Sequence, residues 1–437
     1  MHAIPRGLAA LALALLAGCQ PALPPVEGPA RTFDPELVRR GAALAAVGNC
    51  RGCHTPRGAE PLAGGEPMHS PYGTIYSTNI TPDPETGIGL WSEEAFIRAM
   101  RSGVRRDGAN LYPAFPYDRF TRATDEDNRA LYAYLMSQPP VRSTPPANEL
   151  PFPFNVRAGL ALWKMLFLRE GPVPPDPAKD PALARGEYLV EGLGHCGSCH
   201  SPRNALYAEK RGRAYDGGDL EGWHAYAINA RIAAPVPWDP AALAFYLRHG
   251  YHPEHGVSRG TMGLVTSELA HADEADLRAI AAYAVSLMGP ADAARRGRAQ
   301  ALLRDPLALR PGAPHDESAV LYETACLACH DGRRALPFGG IPLALSLGVH
   351  GESPRNLVNV IVHGLNPAEG RSSPIMPAYG GAMTDAQVEA LVHWLRASLT
   401  DKPPWTGVRK LIAESRAMKP SMLLFPPGGA GADPAKP

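Results

Sequence analysis

The sequence predicts an all-α protein made of three small domains in tandem. A C-x-x-C-H motif occurs three times, as CRGCH at 50–54, CGSCH at 196–200 and CLACH at 326–330. A motif repeated at wide spacing indicates a repeated domain. With 44 glycines and 47 prolines among its 437 residues, the chain favours many turns and long loops over large sheets. The repeats and the composition therefore predict domains of a few helices joined by long loops.

Helical patterns flank each motif. Before each motif lies a helical pattern that begins after an aspartate placed to cap the helix, and these aspartates are Asp34, Asp180 and Asp316. After the motifs, patterns whose apolar residues recur at three- and four-residue steps occupy residues 124–138, 271–288 and 384–399. A middle helix in each repeat is predicted to end at a glycine, namely Gly103, Gly250 and Gly364. The last helices are predicted to pack on the first through Tyr132, Tyr283 and Trp394.

The three motifs predict covalently bound haem. C-x-x-C-H is the attachment pattern of c-type haem, in which both thiols form thioethers with the porphyrin and the histidine ligates the iron. Zinc would need four ligands at each site, and disulfides would not explain a histidine after every cysteine pair. The residues predicted to attach haem are Cys50, Cys53, Cys196, Cys199, Cys326 and Cys329. The predicted iron ligands that follow them are His54, His200 and His330.

A haem in each repeat completes the predicted fold class, which is three tandem cytochrome c-like domains. A unit of about a hundred residues is small for a core of its own, and a buried porphyrin would supply much of the missing apolar contact. The predicted boundaries are a signal peptide at 1–18, a tether at 19–31, domains at 32–143, 178–290 and 315–400, linkers at 144–177 and 291–314, and a C-terminal tail at 401–437.

Methionine is the usual second ligand beside histidine in electron-transfer cytochromes. Met262 in SRGTMGL and Met376 in SPIMPAY are predicted to ligate the second and third haems. Met383 is also close to the third site, but it lies at the start of a helix and is the weaker candidate. In the corresponding segment of the first repeat, LYPAFPY, the position is occupied by Phe115.

The sixth ligand of the first haem stays open at this stage. Met68, in a loop, and Met100, in the middle helix, are alternative ligands. The third alternative is an iron left open or weakly ligated beneath Phe115. An open iron would suit a haem enzyme or a gas-binding sensor, which is the alternative to electron transfer. Asn79 and Asn229 occupy comparable places and are candidates to bind haem propionates.

The N-terminus predicts export and a lipid anchor. A short apolar run ends at LAGC (16–19), which resembles the bacterial lipoprotein signal, so Cys19 is predicted to carry the lipid. The run is too short to span a bilayer as a stable helix. The alternative is an ordinary signal peptide with an incidental Cys19. These features predict a protein on the periplasmic side of a bacterial membrane. The formal net charge is zero, which indicates no nucleic-acid partner.

Over residues 32–400 the sequence resembles the three-haem cytochrome c subunits of bacterial membrane-bound dehydrogenases. The resemblance is carried by the three C-x-x-C-H units and by YGTIYSTNITPDPETGIGLWS, LYPAFPYDRFTRATDEDNRALYAYL and GEYLVEGLGHCGSCHSPRN. Such subunits serve periplasmic alcohol, aldehyde and gluconate dehydrogenases, and similar ones accompany molybdenum hydroxylases of the nicotinate and isoquinoline type. The alcohol dehydrogenase type has methionine where this chain has Phe115. LYPAFPYD followed by PANELPFPFNVRAG is closer to the hydroxylase-associated branch.

This resemblance implies a lipid-anchored electron carrier with three haem c groups. Electrons would arrive from a catalytic dehydrogenase subunit of the molybdenum, PQQ or flavin type, and they would leave for quinone or a terminal oxidase. The sequence has no G-x-S-x-G, P-loop or G-x-G-x-x-G context. No catalytic residue is therefore predicted in this chain.

Overall fold

The structure is a computed structural model that describes residues 20–28, 31–335, 339–366 and 374–418. The predicted signal peptide and the lipidation site Cys19 lie outside the described residues, as do residues 419–437 of the predicted tail. Within the described residues, no helix combines the length and the apolar character needed to cross a bilayer.

Helices dominate the described chain, and the all-α fold class is confirmed. The α-helices are α1 (Pro35–Val47), α2 (Cys50–His54), α3 (Glu93–Ser102), α4 (Tyr117–Phe120), α5 (Asp125–Met136), α6 (Leu160–Phe167), α7 (Pro181–Glu191), α8 (Gly197–His200), α9 (Pro240–His249), α10 (Thr261–Leu269), α11 (Glu274–Met288), α12 (Ala293–Arg304), α13 (Glu317–Ala325), α14 (Leu327–His330), α15 (Leu347–His350), α16 (Arg355–His363), α17 (Asp385–Leu399) and α18 (Val408–Arg416). Single turns of 3₁₀ helix lie at Arg157–Gly159, Arg211–Arg213 and Leu343–Leu345.

Short antiparallel hairpins accompany the helices. The strand pairs are β1 (Pro67–Ser70) with β2 (Gly73–Tyr76), β3 (Gly218–Leu220) with β4 (Trp223–Ala225), and β5 (Tyr251–His252) with β6 (Gly256–Val257). These strands were not predicted, because segments so short carry too few residues to show an alternating pattern.

The described chain forms two compact units. The first contains the described residues up to 198 together with 203–212 and 268–283. The second contains 199–202, 213–267 and the described residues from 284 onward. The three haem domains are smaller than these units and stay a prediction.

The predicted helix starts and ends are confirmed. Aspartate side chains accept backbone N–H bonds at the starts of α1, α7 and α13, and these caps are Asp34, Asp180 and Asp316. The helices α3, α9 and α16 end where the backbone has positive φ angles of 61°, 76° and 71°, at Gly103, Gly250 and Gly364. Glycine adopts this conformation without steric cost, so it ends these helices.

In the first unit, two helix pairs touch at a glycine. Helix α1 lies against α5, and a Cβ on Gly41 would stand 1.9 Å from the carbonyl oxygen of Ala130. Helix α7 meets α11 in the same way, because a Cβ on Gly186 would stand 2.0 Å from the carbonyl oxygen of Ala279. Such a close approach leaves no room for a side chain. The same contact is therefore built twice, in the first and second repeats.

The aromatic residue at the first of these contacts is Tyr134 rather than the predicted Tyr132. The Cβ atoms of Tyr134 and Tyr283 lie beside Gly41 and Gly186 respectively. Tyr132 is buried elsewhere, and its hydroxyl donates to a backbone carbonyl at 2.8 Å. Its ring lies 6.0 Å from that of Phe33, just before α1, so Tyr132 packs near the start of that helix and Tyr134 packs at Gly41.

In the third repeat the first and last helices meet through aromatic rings. Trp394 of α17 lies 5.0 Å from Tyr322 of α13, measured between ring centroids. Its indole Nε1 also donates to the carbonyl of Pro314 at 2.8 Å. Both rings belong to an apolar cluster that includes Val388 and Leu391 of α17. The predicted contact between Trp394 and the first helix of its repeat is confirmed.

In the second unit, His224 of β4 is held between two carboxylates. Its Nδ1 lies 2.7 Å from Asp219 Oδ1 and its Nε2 lies 2.8 Å from Glu352 Oε1. The side chain of Asn356 also pairs with both backbone polar groups of His224. Burial alone would lower the pKa of His224, but the hydrogen bonds to the two carboxylates outweigh it and raise the pKa to about 9. The charged imidazole therefore ties the β3–β4 hairpin to the start of α16.

Replacing Gly41 by valine should destabilise the protein by about 1–3 kcal/mol, the usual cost of forcing a side chain into a filled site. The reason is the carbonyl oxygen of Ala130, which occupies the space that the side chain needs. The measurement is the free energy of chemical unfolding, followed by circular dichroism. The matched control is Gly297→Ala inside α12, where an added Cβ meets open space. That change should be neutral or stabilise by about 0.5–1 kcal/mol, and equal losses in both variants would refute the contact.

The ion pairs of His224 should make stability depend on pH in the alkaline range. The pKa of His224 is raised from 6.5 to about 9, so the stabilisation is complete below 6.5 and is lost as the pH rises through 9. We expect His224→Gln to be less stable than the wild type by about 1–2 kcal/mol near pH 6, since exposed carboxylates are partly screened. The difference should disappear above about pH 9. The exposed His315→Gln is the control, and a difference for His224→Gln that grows with pH would contradict the assignment.

Candidate haem sites

Each C-x-x-C-H motif lies on, or leads directly into, a short helical turn. The turns are α2, α8 and α14. The first cysteine, the second cysteine and the histidine are separated by three and four residues, so all three side chains lie on one face. The chain enters the first and second motifs through left-handed residues, Asn49 with φ 52° and His195 with φ 40°. The third motif follows directly from α13, with Cys326 as the N-cap of α14.

The three motif histidines share one hydrogen-bond pattern. Their Nδ1 atoms lie 2.6, 2.7 and 2.7 Å from backbone carbonyl oxygens in the order His54, His200 and His330. The acceptors are Thr78, Tyr226 and Ile341. A carbonyl only accepts, so each Nδ1 carries the proton and each Nε2 keeps a lone pair for a metal. Burial lowers the pKa of all three imidazoles, which keeps that lone pair unprotonated.

The motif thiols suit thioether bonds better than metal coordination. None of the six motif cysteines, all of which lie within the described residues, forms a disulfide. Burial raises the pKa of Cys50 to about 12 and that of Cys326 to about 11. A zinc site requires thiolates, which such surroundings disfavour, whereas a thioether sulfur is neutral. The described chain also holds no cluster of three His, Cys, Asp or Glu side chains placed to bind a metal ion. The three motifs therefore fit haem c.

A turn after the middle helix places Phe115 and Met262 in equivalent positions. In the first repeat, the N–H of Leu111 donates to the glycine carbonyl at the end of α3 at 2.8 Å. In the second repeat, the N–H of Ser258 donates to the glycine carbonyl at the end of α9, also at 2.8 Å. Phe115 follows Leu111 at the same spacing as Met262 follows Ser258. The structural equivalence supports the comparison of the two segments.

Met376 is placed differently in the third repeat. Its backbone N–H and carbonyl both pair with Leu365, the second residue beyond α16. Met376 is only partly buried, whereas Met383 is buried in the apolar cluster at the start of α17. A side chain already enclosed by core residues is less able to reach an iron, so the arrangement favours Met376.

The two alternative methionines of the first repeat lie in different environments. Met100 is buried within α3, as a core residue would be. Met68 lies in β1, and the β1–β2 hairpin leads to Thr78, the acceptor for His54. This hairpin supports the histidine side of the site, and a sixth ligand must approach from the opposite side. The arrangement therefore disfavours both methionines.

The ring of Phe115 packs towards the second motif. Its centroid lies 5.1 Å from that of Phe120, and Phe120 stands edge-on to His195 at 5.4 Å. His195 directly precedes Cys196, so two ring contacts connect Phe115 with the second attachment turn.

A partly buried arginine lies against the same turn. Arg119 forms ion pairs with Glu191, at 2.7 Å, and with Glu209. A Cβ on Gly197 would lie 2.5 Å from Nη2 of Arg119, so the guanidinium occupies the space beside the second motif. Neither the ring contacts nor this ion-pair cluster could be found from the sequence, because the partners are far apart along the chain.

The two asparagines considered for haem propionates are committed to their own loops. The amide nitrogen of Asn79 donates to the carbonyl of Val141 at 2.7 Å and to Thr86 at 3.0 Å. That of Asn229 donates to Asp216 Oδ1 at 2.8 Å and to a backbone carbonyl at 3.0 Å. Both donor hydrogens of each amide are used, so these residues hold loops instead.

Two family models match this chain. One is described as "Cytochrome c" and matches residues 38–139, and the other is described as "Cytochrome C oxidase, cbb3-type, subunit III" and matches residues 313–395. These segments contain the first and third C-x-x-C-H motifs. Cytochrome c domains bind haem covalently through this motif, so the chain carries covalent haem c.

Relatives that align with most of this chain are subunits of dehydrogenases. A nicotinate dehydrogenase subunit of Pseudomonas putida is 45% identical over 94% of this chain, which spans only 34% of that protein. The gluconate 2-dehydrogenase cytochrome c subunit of Pantoea cypripedii is 38% identical over 87% of this chain and 89% of its own length. The cytochrome c subunit of the quinone-dependent alcohol dehydrogenase of Gluconacetobacter polyoxogenes is 36% identical, over 91% and 86% respectively. The chain therefore belongs to the family of cytochrome c subunits of dehydrogenase complexes.

Proposed function

We propose that this chain relays electrons through three haem c groups, one in each repeat. Haem would be attached at the cysteine pairs Cys50/Cys53, Cys196/Cys199 and Cys326/Cys329. The observation that carries the proposal is that both thiols and one imidazole recur three times on or at the start of a single helical turn. Each time, a carbonyl fixes the imidazole in the tautomer that a metal ligand needs. When bound, haem supplies the one-electron couple of its iron.

The contribution of the chain itself is orientation and insulation. The carbonyls of Thr78, Tyr226 and Ile341 hold His54, His200 and His330 in one orientation. The folded surroundings partly shield these imidazoles from water, and burial lowers their pKa values. A ligand that is held rigidly and partly shielded from water changes little when the charge of the iron changes, which favours rapid electron transfer.

The sixth ligands follow from the turn after the middle helix. We assign Met262 and Met376 to the second and third irons. We assign no methionine to the first iron, because Phe115 occupies the equivalent position and Met68 and Met100 are poorly placed. The family comparisons give no support to the alternative function of a haem enzyme or gas sensor. The vacant position is thus proposed as a property of an electron carrier.

The partners follow from the family. Relatives of this chain are subunits of dehydrogenases, so a catalytic dehydrogenase subunit is proposed as the electron donor and quinone or a terminal oxidase as the acceptor. We place the protein on the periplasmic side of the membrane. The proposed lipid anchor at Cys19 lies outside the described residues.

The identities of the relatives bear on the type of catalytic partner. That relative is 45% identical to this chain, compared with 36% for the alcohol dehydrogenase subunit. Phe115 also departs from the methionine expected of the alcohol dehydrogenase type. We therefore propose a hydroxylating molybdenum dehydrogenase rather than a PQQ or flavin enzyme as the donor. Purification through a tag on this chain should retain that catalytic subunit, which mass spectrometry would identify.

The haem content should equal the number of motifs. Pyridine haemochrome spectra should give three haems per chain, and acid acetone should extract none of them. Replacing Cys196 and Cys199 by serine should lower the content to about two-thirds, because that haem loses both attachment points. Arg51→Ala, which changes a residue between the first two motif cysteines, should keep all three. A colourless wild type, or pigment that acid acetone removes, would refute the proposal.

The first haem should bind carbon monoxide and the others should not. The ferrous wild type is expected to show a carbon monoxide difference spectrum equivalent to one haem in three, because Phe115 cannot ligate iron. Phe115→Met should abolish that spectrum and raise the potential of one haem.

The reciprocal change provides the matched test. Met262→Phe should double the fraction of haem that binds carbon monoxide, since it opens a second iron in the same way. A wild type without any carbon monoxide shift would show that another side chain ligates the first iron. The attachment of haem would then still stand.

A further inference from the structure

The first unit exposes a cluster of large apolar side chains on and around α6. Phe152 is 81% exposed, Met165 is 71% exposed and Leu166 is 49% exposed. The cluster, called here the apolar patch, consists of Phe152, Phe154, Leu162, Met165, Leu166 and Leu206. Single exposed apolar residues are ordinary, but six in one region indicate a surface that binds something.

Contacts within the first unit join the members of the patch. The indole Nε1 of Trp163 in α6 donates to the carbonyl of Leu206 at 2.9 Å. The ring of Tyr72 lies 4.6 Å from Phe154 and 6.0 Å from Tyr207. The backbone around residues 205–207 therefore connects α6 with the aromatic loop at 152–154.

Helix α6 is oriented by the two residues that it turns inward. Trp163 is buried against Tyr117, with ring centroids 5.8 Å apart. Lys164, the only charged residue of α6, donates to the carbonyl of Gly103 at 2.8 Å and to Asn110 Oδ1 at 2.7 Å. Since this cation faces the interior, the outward face carries Leu162, Met165 and Leu166 without any charge.

The start of the described chain lies close to this helix. Leu23 donates to the carbonyl of Arg106 at 2.8 Å, and a Cβ on Gly108 would stand 1.9 Å from the carbonyl oxygen of Gln20. The same loop continues to Asn110, which accepts from Lys164 of α6 and, through its carbonyl, from Arg157 at 2.7 Å. Gln20, which follows the proposed lipidation site, therefore contacts the same loop that binds Lys164 of α6.

Cations are close to the patch along the chain, and one of them contacts α6. Arg169, Lys210 and Arg211 are exposed, and Arg211 donates to the carbonyl of Phe167 at the end of α6 at 3.0 Å. The nearby acid Glu170 accepts a hydrogen bond from Ser102 at 2.7 Å. An apolar face with a basic edge is the arrangement by which short helices lie in the headgroup layer of an anionic membrane.

We propose that the apolar patch inserts into the headgroup region of a bilayer that contains anionic phospholipid, and that it is a second membrane contact beside the lipid on Cys19. Helix α6 is about 12 Å long, too short to cross a bilayer, so it would lie in the plane of the interface. An apolar surface with a basic edge would add its own buried area and its own attraction to anionic lipid, and it would fix how the first unit faces the bilayer. The inference rests on the proposed location at the membrane and is independent of the haem assignments.

The test uses the full chain from residue 20 behind a cleavable export signal, so that no lipid is attached. Cosedimentation with vesicles of phosphatidylethanolamine and phosphatidylglycerol should show binding of this protein. The double variant Met165→Glu/Leu166→Glu should bind at least about tenfold more weakly, because two buried apolar groups become charged. Vesicles of phosphatidylcholine alone should bind the unchanged chain more weakly, since the basic edge then has no anionic partner.

The matched control is Leu309→Glu, because Leu309 lies in the second unit and is 45% exposed. This variant should bind vesicles as the unchanged chain does. Reduced absorption spectra report the haem separately, so a failure of the haem proposal would not be mistaken for a failure of this one. Should the double variant misfold, Phe152→Ser in the exposed loop should still weaken binding. Undiminished vesicle binding by these patch variants would overturn the proposal. The proposal would also be overturned if the patch variants still bound vesicles but no longer copurified with the catalytic subunit. The patch would then be a protein interface.

Discussion

The candidate sites depend on one hydrogen bond, between the Nδ1 of each motif histidine and a backbone carbonyl. The C-x-x-C-H motif brings two thiols and an imidazole to one face of a helical turn, but it does not decide which nitrogen of the ring is protonated. Thr78, Tyr226 and Ile341 decide it, from outside the motif. Much of the loop after each motif can be understood as the means of delivering that carbonyl. In the first and second repeats a β-hairpin precedes the acceptor.

The helices provide the frame for these turns. The first helix of a repeat must lie close to the last, and in the first unit this closeness is achieved by backbone contact at Gly41 and Gly186. The third repeat reaches the same end by ring contact between Tyr322 and Trp394. The first and last helices of related domains can thus meet either at a glycine, which has no side chain, or through two large aromatic rings. The shared requirement is that the helices remain close enough to support a motif turn.

The features predicted from sequence are those whose signal is local. Asp34 caps a helix through atoms two residues away, and Gly103 ends a helix through its own backbone angle, so both could be recognised in the sequence. The histidine acceptors could not be recognised, because any residue has a carbonyl. The partners of His224 were also missed, since Glu352 lies far along the chain and nothing nearby marks it. The contact of Tyr134 with Gly41 was missed as well, because aromatic residues two apart differ only in the helix face on which they lie.

Phe115, which occupies the position equivalent to Met262, also makes contacts that lead to the second motif. Its ring touches Phe120, and Phe120 touches His195, the residue that leads into the second attachment turn. Ring contacts thus join two neighbouring repeats at this position. The energetic effects of substitutions at 115 and 195 are then not independent, and they should fail to add. Exchange of one repeat between related cytochromes would need to preserve this aromatic pair as well as the motif.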